Sequence, residues 1–215
     1  MNEVLFFIQI LLIVGFAIGA LKLGKSALIA WVAIQALVAN LFVLKQITLF
    51  GFSVTASDAF AIGSLLGLSF LQEYFSREDA KKATWVCFFF MGFFALVSQL
   101  HLLYEPSLHD NTQEAFVTIL SQSPRLLVAS ISVFFIVQRV DIVLFDFLKK
   151  IIPQGGFALR IAITLVVSQL LDTILFSFVG LYGIVNSMAD IILVSFFIKL
   201  IVISFSTSAI RWAKG

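Results

Sequence analysis

Seven apolar runs, at about residues 4–21, 27–44, 56–75, 83–103, 124–146, 159–180 and 188–208, leave this chain few folds to choose from. Each is close to the ~20 residues a helix needs to cross a hydrocarbon layer. The composition agrees: the 215 residues are 61% hydrophobic and 12% charged, where a soluble domain carries about a quarter charged residues. The expected fold is all-α, a polytopic integral membrane helical bundle. It has seven transmembrane helices, or six if the first run lies in the interface or is removed. With three prolines and no Ser/Gly linker, residues 1–215 are expected to form a single transmembrane domain. The chain begins Met-Asn-Glu and has no Lys or Arg before Lys22, unlike the basic start of a secretory signal. Ala17 and Ala20 mimic a cleavage site, but the first run is read as a retained helix.

Basic residues set the expected orientation. Lys22 and Lys25; Arg77, Lys81 and Lys82; Lys149, Lys150 and Arg160; and Arg211 and Lys214 occupy every second junction. The intervening junctions hold only Lys45 and Arg125. Since positive loops stay in the cytoplasm, the N-terminus is expected outside and the C-terminus in the cytoplasm. The net charge of +2 does not point to nucleic acid, because the basic residues lie at segment ends rather than on one face. One cysteine, Cys87, excludes an internal disulfide and reads as packing. No phosphate loop, Gly-x-Ser-x-Gly or metal-spaced His/Cys cluster is present, and an enzyme, a cofactor and a metal are not expected. His101 and His109 flank a loop and read as ordinary interfacial residues.

Within the apolar runs, one pattern is written twice. Val137-Gln-Arg-Val-Asp-Ile-Val-Leu-Phe-Asp-Phe147 and Ser168-Gln-Leu-Leu-Asp-Thr-Ile-Leu-Phe-Ser-Phe178 share Gln, Asp, Leu, Phe and Phe at equal offsets. On a helix the Gln, the Asp three residues on and the first Phe seven residues on return to one face. A polar pair beside an aromatic plate suits a flat, hydrogen-bonding solute. An ionised group at the centre of a membrane helix costs ~2.5–3.5 kcal/mol on insertion scales, so it must meet a partner or a water-filled cavity. Asp172 and Lys199 lie at nearly equal depth on successive helices, and either pair with each other or face the solute. Arg139 is expected to snorkel to the interface. Asp58 either caps its helix or joins the site. In the second run, Ala27, Ala30, Ala33, Ala36 and Ala39 stand at every third position. They read as tight helix packing or as a face for a partner protein, and Gly63 and Gly67 repeat the pattern weakly.

A further set of residues runs through the chain in order: Asn40 with Lys45 and Phe50-Gly51; Gln72-Glu73-Tyr74-Phe75 followed by Ala80; Arg125 with Ala129-Ser130; Gln138 and Asp141; Arg160; Ser168-Gln169 with Asp172-Thr173; and Lys199. In order and spacing these resemble the VUT family of bacterial queuosine-precursor transporters, from about Asn40 to Lys199. Ser76 stands where the resemblance leads one to expect glycine, no proline closes the last helix near Ser208, and Ile161-Ala162 follow Arg160 where polar residues are expected. These departures bear on fine substrate choice. The resemblance implies import of 7-deazaguanine bases, either queuosine precursors or queuine, by a protein working alone. It also implies a helical fold similar to the binding subunits of energy-coupling-factor vitamin transporters.

The residues expected to contact the solute are Glu73, Gln138, Asp141, Gln169 and Asp172, with Phe145 or Phe176 as the stacking plate. Asn40, Asp58, Arg125, Arg160 and Lys199 are expected in support. A carboxylate accepts from the N–H and amino donors on one edge of the base, and an amide answers its carbonyl. The expected partners are thus a small-molecule base and the lipid bilayer, and the chain acts as a monomer or a homo-oligomer. An ATPase partner is expected only under the alternative, a binding subunit of an energy-coupling-factor transporter.

Overall fold

The computed structural model describes residues 1–43, 45–55, 57–121, 124–153, 156–182 and 188–213. Of their side chains, those of 53, 55, 124–127, 181, 188–191 and 209–213 lie outside that description. Eight helices and one hairpin make up the described chain: α1 (Asn2–Leu23), α2 (Lys25–Phe42), β1 (Gln46–Leu49), β2 (Phe52–Thr55), α3 (Asp58–Tyr74), α4 (Arg77–His101), α5 (Gln113–Leu120), α6 (Pro124–Ile151), α7 (Phe157–Phe176) and α8 (Met188–Ala213). Each of the seven apolar runs falls on one of the long helices. Among the described residues, five helices are long and apolar enough to cross a membrane: α1, α2, α4, most of α6, and α7 extended to Gly180. Their outer faces carry large apolar side chains such as Phe16, Phe89 and Leu96, as a lipid-facing surface requires.

At the centre of the bundle is α3, whose 17 residues span only ~25 Å at 1.5 Å per residue. Ten consecutive positions, Ile62 to Leu71, are buried, so α3 faces protein nearly all round. Its approach to α2 depends on glycine. A Cβ on Gly63 would stand 2.7 Å from both Gln35 Oε1 and Ile13 Cγ2, and one on Gly67 2.9 Å from Val32 Cγ2. The close approach lets Trp31 Nε1 donate to Gly63 O at 3.2 Å and Ser64 Oγ to Val32 O at 3.0 Å. The alanine series of α2 does not form a single packing face. A step of three residues drifts by about 60° on a helix of 3.6 residues per turn. Ala33 and Ala36 are accordingly buried while Ala30 is exposed.

Two elements, the hairpin and α5, lie outside the seven runs. The hairpin β1–β2 is antiparallel, with Leu49 opposite Phe52, and turns through Phe50 and Gly51 at φ 52° and 85°. Two positive φ values in a two-residue loop match the right-handed twist of the strands. Leu49 and Val54 point into the protein. The alternation Gln-Ile-Thr-Leu and Phe-Ser-Val-Thr around a glycine is the signal for it. The short α5 sits in the long connection before α6, where Gln99 Nε2 donates to Leu120 O at 2.9 Å. A π-helical turn, Ser177–Leu181, continues α7.

The ends of the bundle differ in charge. The hairpin reaches the start of α1, with Asn2 Nδ2 donating to Thr48 O at 3.1 Å and Phe50 N to Glu3 Oε1 at 3.3 Å. At the opposite end Lys25 pairs with Asp79 at 3.1 Å, Arg77 with Asp146 at 3.5 Å, and Lys149 and Arg160 with Glu73. Ser76 caps α4 there by accepting from Asp79 N, which begins that helix at Arg77 rather than near residue 83. Three of the four basic junctions, those of Lys25, Arg77 and Lys149 with Arg160, thus converge on one end of the bundle, its basic end.

Candidate functional site

A cavity of about 400 Å³ lies among α2, α3, α6, α7 and α8, with Phe52 and Val54 of the hairpin in its wall. Its size falls within the ~300–1,000 Å³ of small-molecule pockets. Its polar lining includes Asn40, Asp58, Asp172 and Lys199, and its apolar lining includes Phe134 and Phe176. Asp58 is the first residue of α3, one after the N-cap residue Ser57, where the helix dipole favours a carboxylate. Asp172 and Phe176 are one turn apart on α7 and face the cavity together. From α8, Lys199 enters almost fully buried.

Lys199 sits between two acids. Its Nζ donates to Asp172 Oδ2 at 2.7 Å and to Thr173 Oγ1 at 3.0 Å, and lies 3.8 Å from Asp58 Oδ1. Asp172 makes the full charge-assisted bond, while Asp58 is held only loosely and keeps acceptor capacity toward the cavity. The Asp172–Lys199 pair therefore forms, and both residues lie in the cavity wall. Asn40 is oriented by two contacts, its Nδ2 donating to Ala36 O at 3.0 Å and its Oδ1 accepting from Ser130 Oγ at 2.8 Å.

The other expected residues lie elsewhere. Gln138 is buried against α3 and α4, with Nε2 donating to Ser64 Oγ at 3.2 Å and to Cys87 Sγ at 3.7 Å. Asp141 is buried and accepts from Ser168 Oγ at 2.8 Å. Gln169 is buried on α7, next in sequence to Ser168. Glu73 accepts from Arg160 Nη2, and Arg160 also donates to Ile152 O at 2.6 Å. Phe145 is fully buried, with the Arg160 guanidinium 5.9 Å from its ring centroid. Arg125 falls in α6, but its side chain lies outside the described residues. Arg139 stacks over Trp85 and Phe135, 5.1 Å from each centroid.

The two copies of the repeat diverge for a geometric reason. Lys149, late in α6, and Arg160, early in α7, both meet Glu73, so the two helices run in opposite directions. Equal offsets therefore carry Phe145 toward the basic end and Phe176 toward the hairpin, leaving the Gln/Asp pairs between. Phe52, Phe134, Ser57 and Thr173 also line the cavity and were not among the expected site residues. Thr173 and Ser130 were in view only as neighbours within the family-like motifs, and Phe134 follows one turn after Ser130.

An apolar-faced helical bundle with a buried Asp–Lys pair in the wall of a small-molecule-sized cavity is a polytopic membrane protein of the solute-handling kind. Residues 55–213 match the family model described as "Putative vitamin uptake transporter". A "Probable queuosine precursor transporter" of Bacillus subtilis (strain 168) is 32% identical over 188 residues, 87% of this chain and 81% of that protein. The chain belongs to this family of transporters, as its motifs led one to expect: a multi-pass protein of the inner membrane, and not an enzyme. No solved structure matches it.

Proposed function

We propose that the protein imports 7-deazaguanine bases, queuosine precursors or queuine, and holds them in the hairpin-end cavity. The observation that carries the reading is the Asp58–Lys199–Asp172 cluster in the cavity wall, together with the name of the relative from Bacillus subtilis. A deazaguanine presents a ring N–H and an amino group on one edge, and Asp58, the looser acid, accepts from both. The carbonyl of the base takes a bond from the Lys199 ammonium or the Asn40 amide. Phe176 supplies a stacking face. Asp172 holds Lys199 in place, so that the ammonium is spent neither on solvent nor on lipid.

Seven helices cross the membrane in this reading, with the N-terminus outside and the C-terminus in the cytoplasm. Support comes from the gathering of Lys25, Arg77, Lys149 and Arg160 at one end, which the positive-inside rule places in the cytoplasm. The cavity then faces outward, as an importer awaiting its solute requires. The opposed repeats of α6 and α7 resemble the inverted repeats of alternating-access transporters. The test is restoration of queuosine in the tRNA of a host unable to make or import the base, with each base supplied separately. Restoration, together with uptake by the purified protein in liposomes, is the expected result. Failure with every base overturns the assignment.

A further inference from the structure

Below the cavity, toward the basic end, polar side chains, most of them buried, follow one another along three helices. On α7 Arg160, Thr164 and Ser168 recur every four residues and lead to Asp172. On α6 Gln138, Asp141 and Lys149, with Phe145 among them, occupy one face. On α3 Ser69 and Gln72 lead to Glu73. Side-chain contacts place them in register, Gln138 on Ser64 and Asp141 on Ser168 at mid-bundle, Arg160 and Lys149 on Glu73 at the end. The twelve helical steps from Arg160 to Asp172 cover ~18 Å.

Several of these groups have no bonding partner among the described residues: Ser69 Oγ, both amide atoms of Gln72, Asp141 Oδ2, Thr164 Oγ1 and Gln169 Oε1. All five side chains are more than nine-tenths buried. Buried polar atoms are almost always satisfied by protein or water, and in lipid no other compensation exists. A stripe kept for helix packing alone would be apolar. The stripe is closed at its far end by Arg160, which bonds Glu73 and lies 5.9 Å and 6.0 Å from the Phe145 and Phe157 ring centroids.

We infer that this stripe is the second half of the solute's passage, closed in this structure, with Asp141, Gln169 and Gln72 as an inner station for the same donor-edged heterocycle. The inference rests on the transport reading above. Opening parts Arg160 from Glu73 and swings Phe145 aside. The unpartnered oxygens of Asp141 and Gln169 then accept from the base, as Asp58 does at the outer cavity. The repeat gives this half its form, one acid, one amide and one Phe for each end.

The test uses the full chain in proteoliposomes, in a Cys87→Ser background, with a membrane-impermeant methanethiosulfonate applied from each side. Ser69→Cys and Thr164→Cys are expected to react slowly, and at least tenfold faster from the basic end once Glu73→Gln is added. If neither reacts from either side with or without Glu73→Gln, while Ser195→Cys in the cavity wall does, the inference is overturned. Thr164→Val reads the same point without a label. A passage predicts at least a tenfold loss of uptake with solute binding retained, whereas a mere packing position predicts unchanged uptake and a higher melting temperature. The labelling needs no solute, so it stays readable if no deazaguanine is carried and the substrate assignment alone fails.

Discussion

Lys199 donates to Asp172 on the neighbouring helix at 2.7 Å while Asp58, on a third helix, stands 3.8 Å away. That unequal sharing makes the three residues differ in what their loss does. Removing one partner of a buried pair strands a charge and costs ~3–5 kcal/mol. Lys199→Met strands two acids side by side and is expected to show the full loss in thermal unfolding in detergent. Asp172→Asn leaves Lys199 with Asp58, so the protein stays folded in the membrane at a smaller cost, but uptake is abolished. Normal uptake by a well-expressed Asp172→Asn protein removes Asp172 from the mechanism.

Asp58→Asn separates binding from folding. Its contact with Lys199 is long, and stability is expected to fall less than for Lys199→Met. A bond from the base to a charged acceptor contributes ~1.5–3 kcal/mol, or about 10–150-fold in affinity. Calorimetric titration of the purified protein with a deazaguanine base should show that weakening. Unaltered affinity moves the donor edge of the base to another acceptor.

The α2–α3 contact is expected to refuse bulk at Gly67. An added Cβ meets Val32 Cγ2 at 2.9 Å and Trp31 Cδ1 at 3.0 Å, and overpacking costs ~1–3 kcal/mol. Gly67→Val should therefore lower the melting temperature and the yield of folded protein. Gly15→Ala is the control, because a Cβ added there, on the outer face of α1, would meet nothing within 4 Å. Removing glycine from an open helix site favours the helix by ~0.5–1 kcal/mol. Equal behaviour of the two variants contradicts the close approach.

The hairpin turn gives a fourth expectation. Gly51 stands at φ 85°, a region that disfavours a side chain by ~1–2 kcal/mol. Gly51→Ala loosens a hairpin whose Phe52 and Val54 wall the cavity. Solute affinity is expected to fall by up to about 30-fold, while the melting temperature of the helical bundle changes little. An equal fall in both would make the hairpin part of the cooperative core rather than a cover.

Chain order alone revealed that α1–α4 and α6–α8 exist, because runs of apolar residues near membrane length have one way to satisfy their backbone. It also singled out Asp58, Asp141, Asp172 and Lys199 as costly residues in need of an answer. Periodicity names the face a residue occupies but not the helix opposite, so it left Gln138 and Asp141 grouped with Asp172 as one site. Ser64, Cys87 and Ser168, brought in from other helices, claim the first two. The hairpin and the π turn escaped notice because both are short, and a few residues of alternation are faint beside runs of twenty.

By itself, then, the sequence determined a membrane-embedded helical protein with ionisable groups buried where lipid should be, since hydrophobic length and charge cost are local properties. Tertiary structure alone decided which of those groups share a cavity and which line a closed seam. Antiparallel packing of α6 and α7 turned one repeated motif toward opposite ends, and such pairings depend on helix rotation and contact across the bundle.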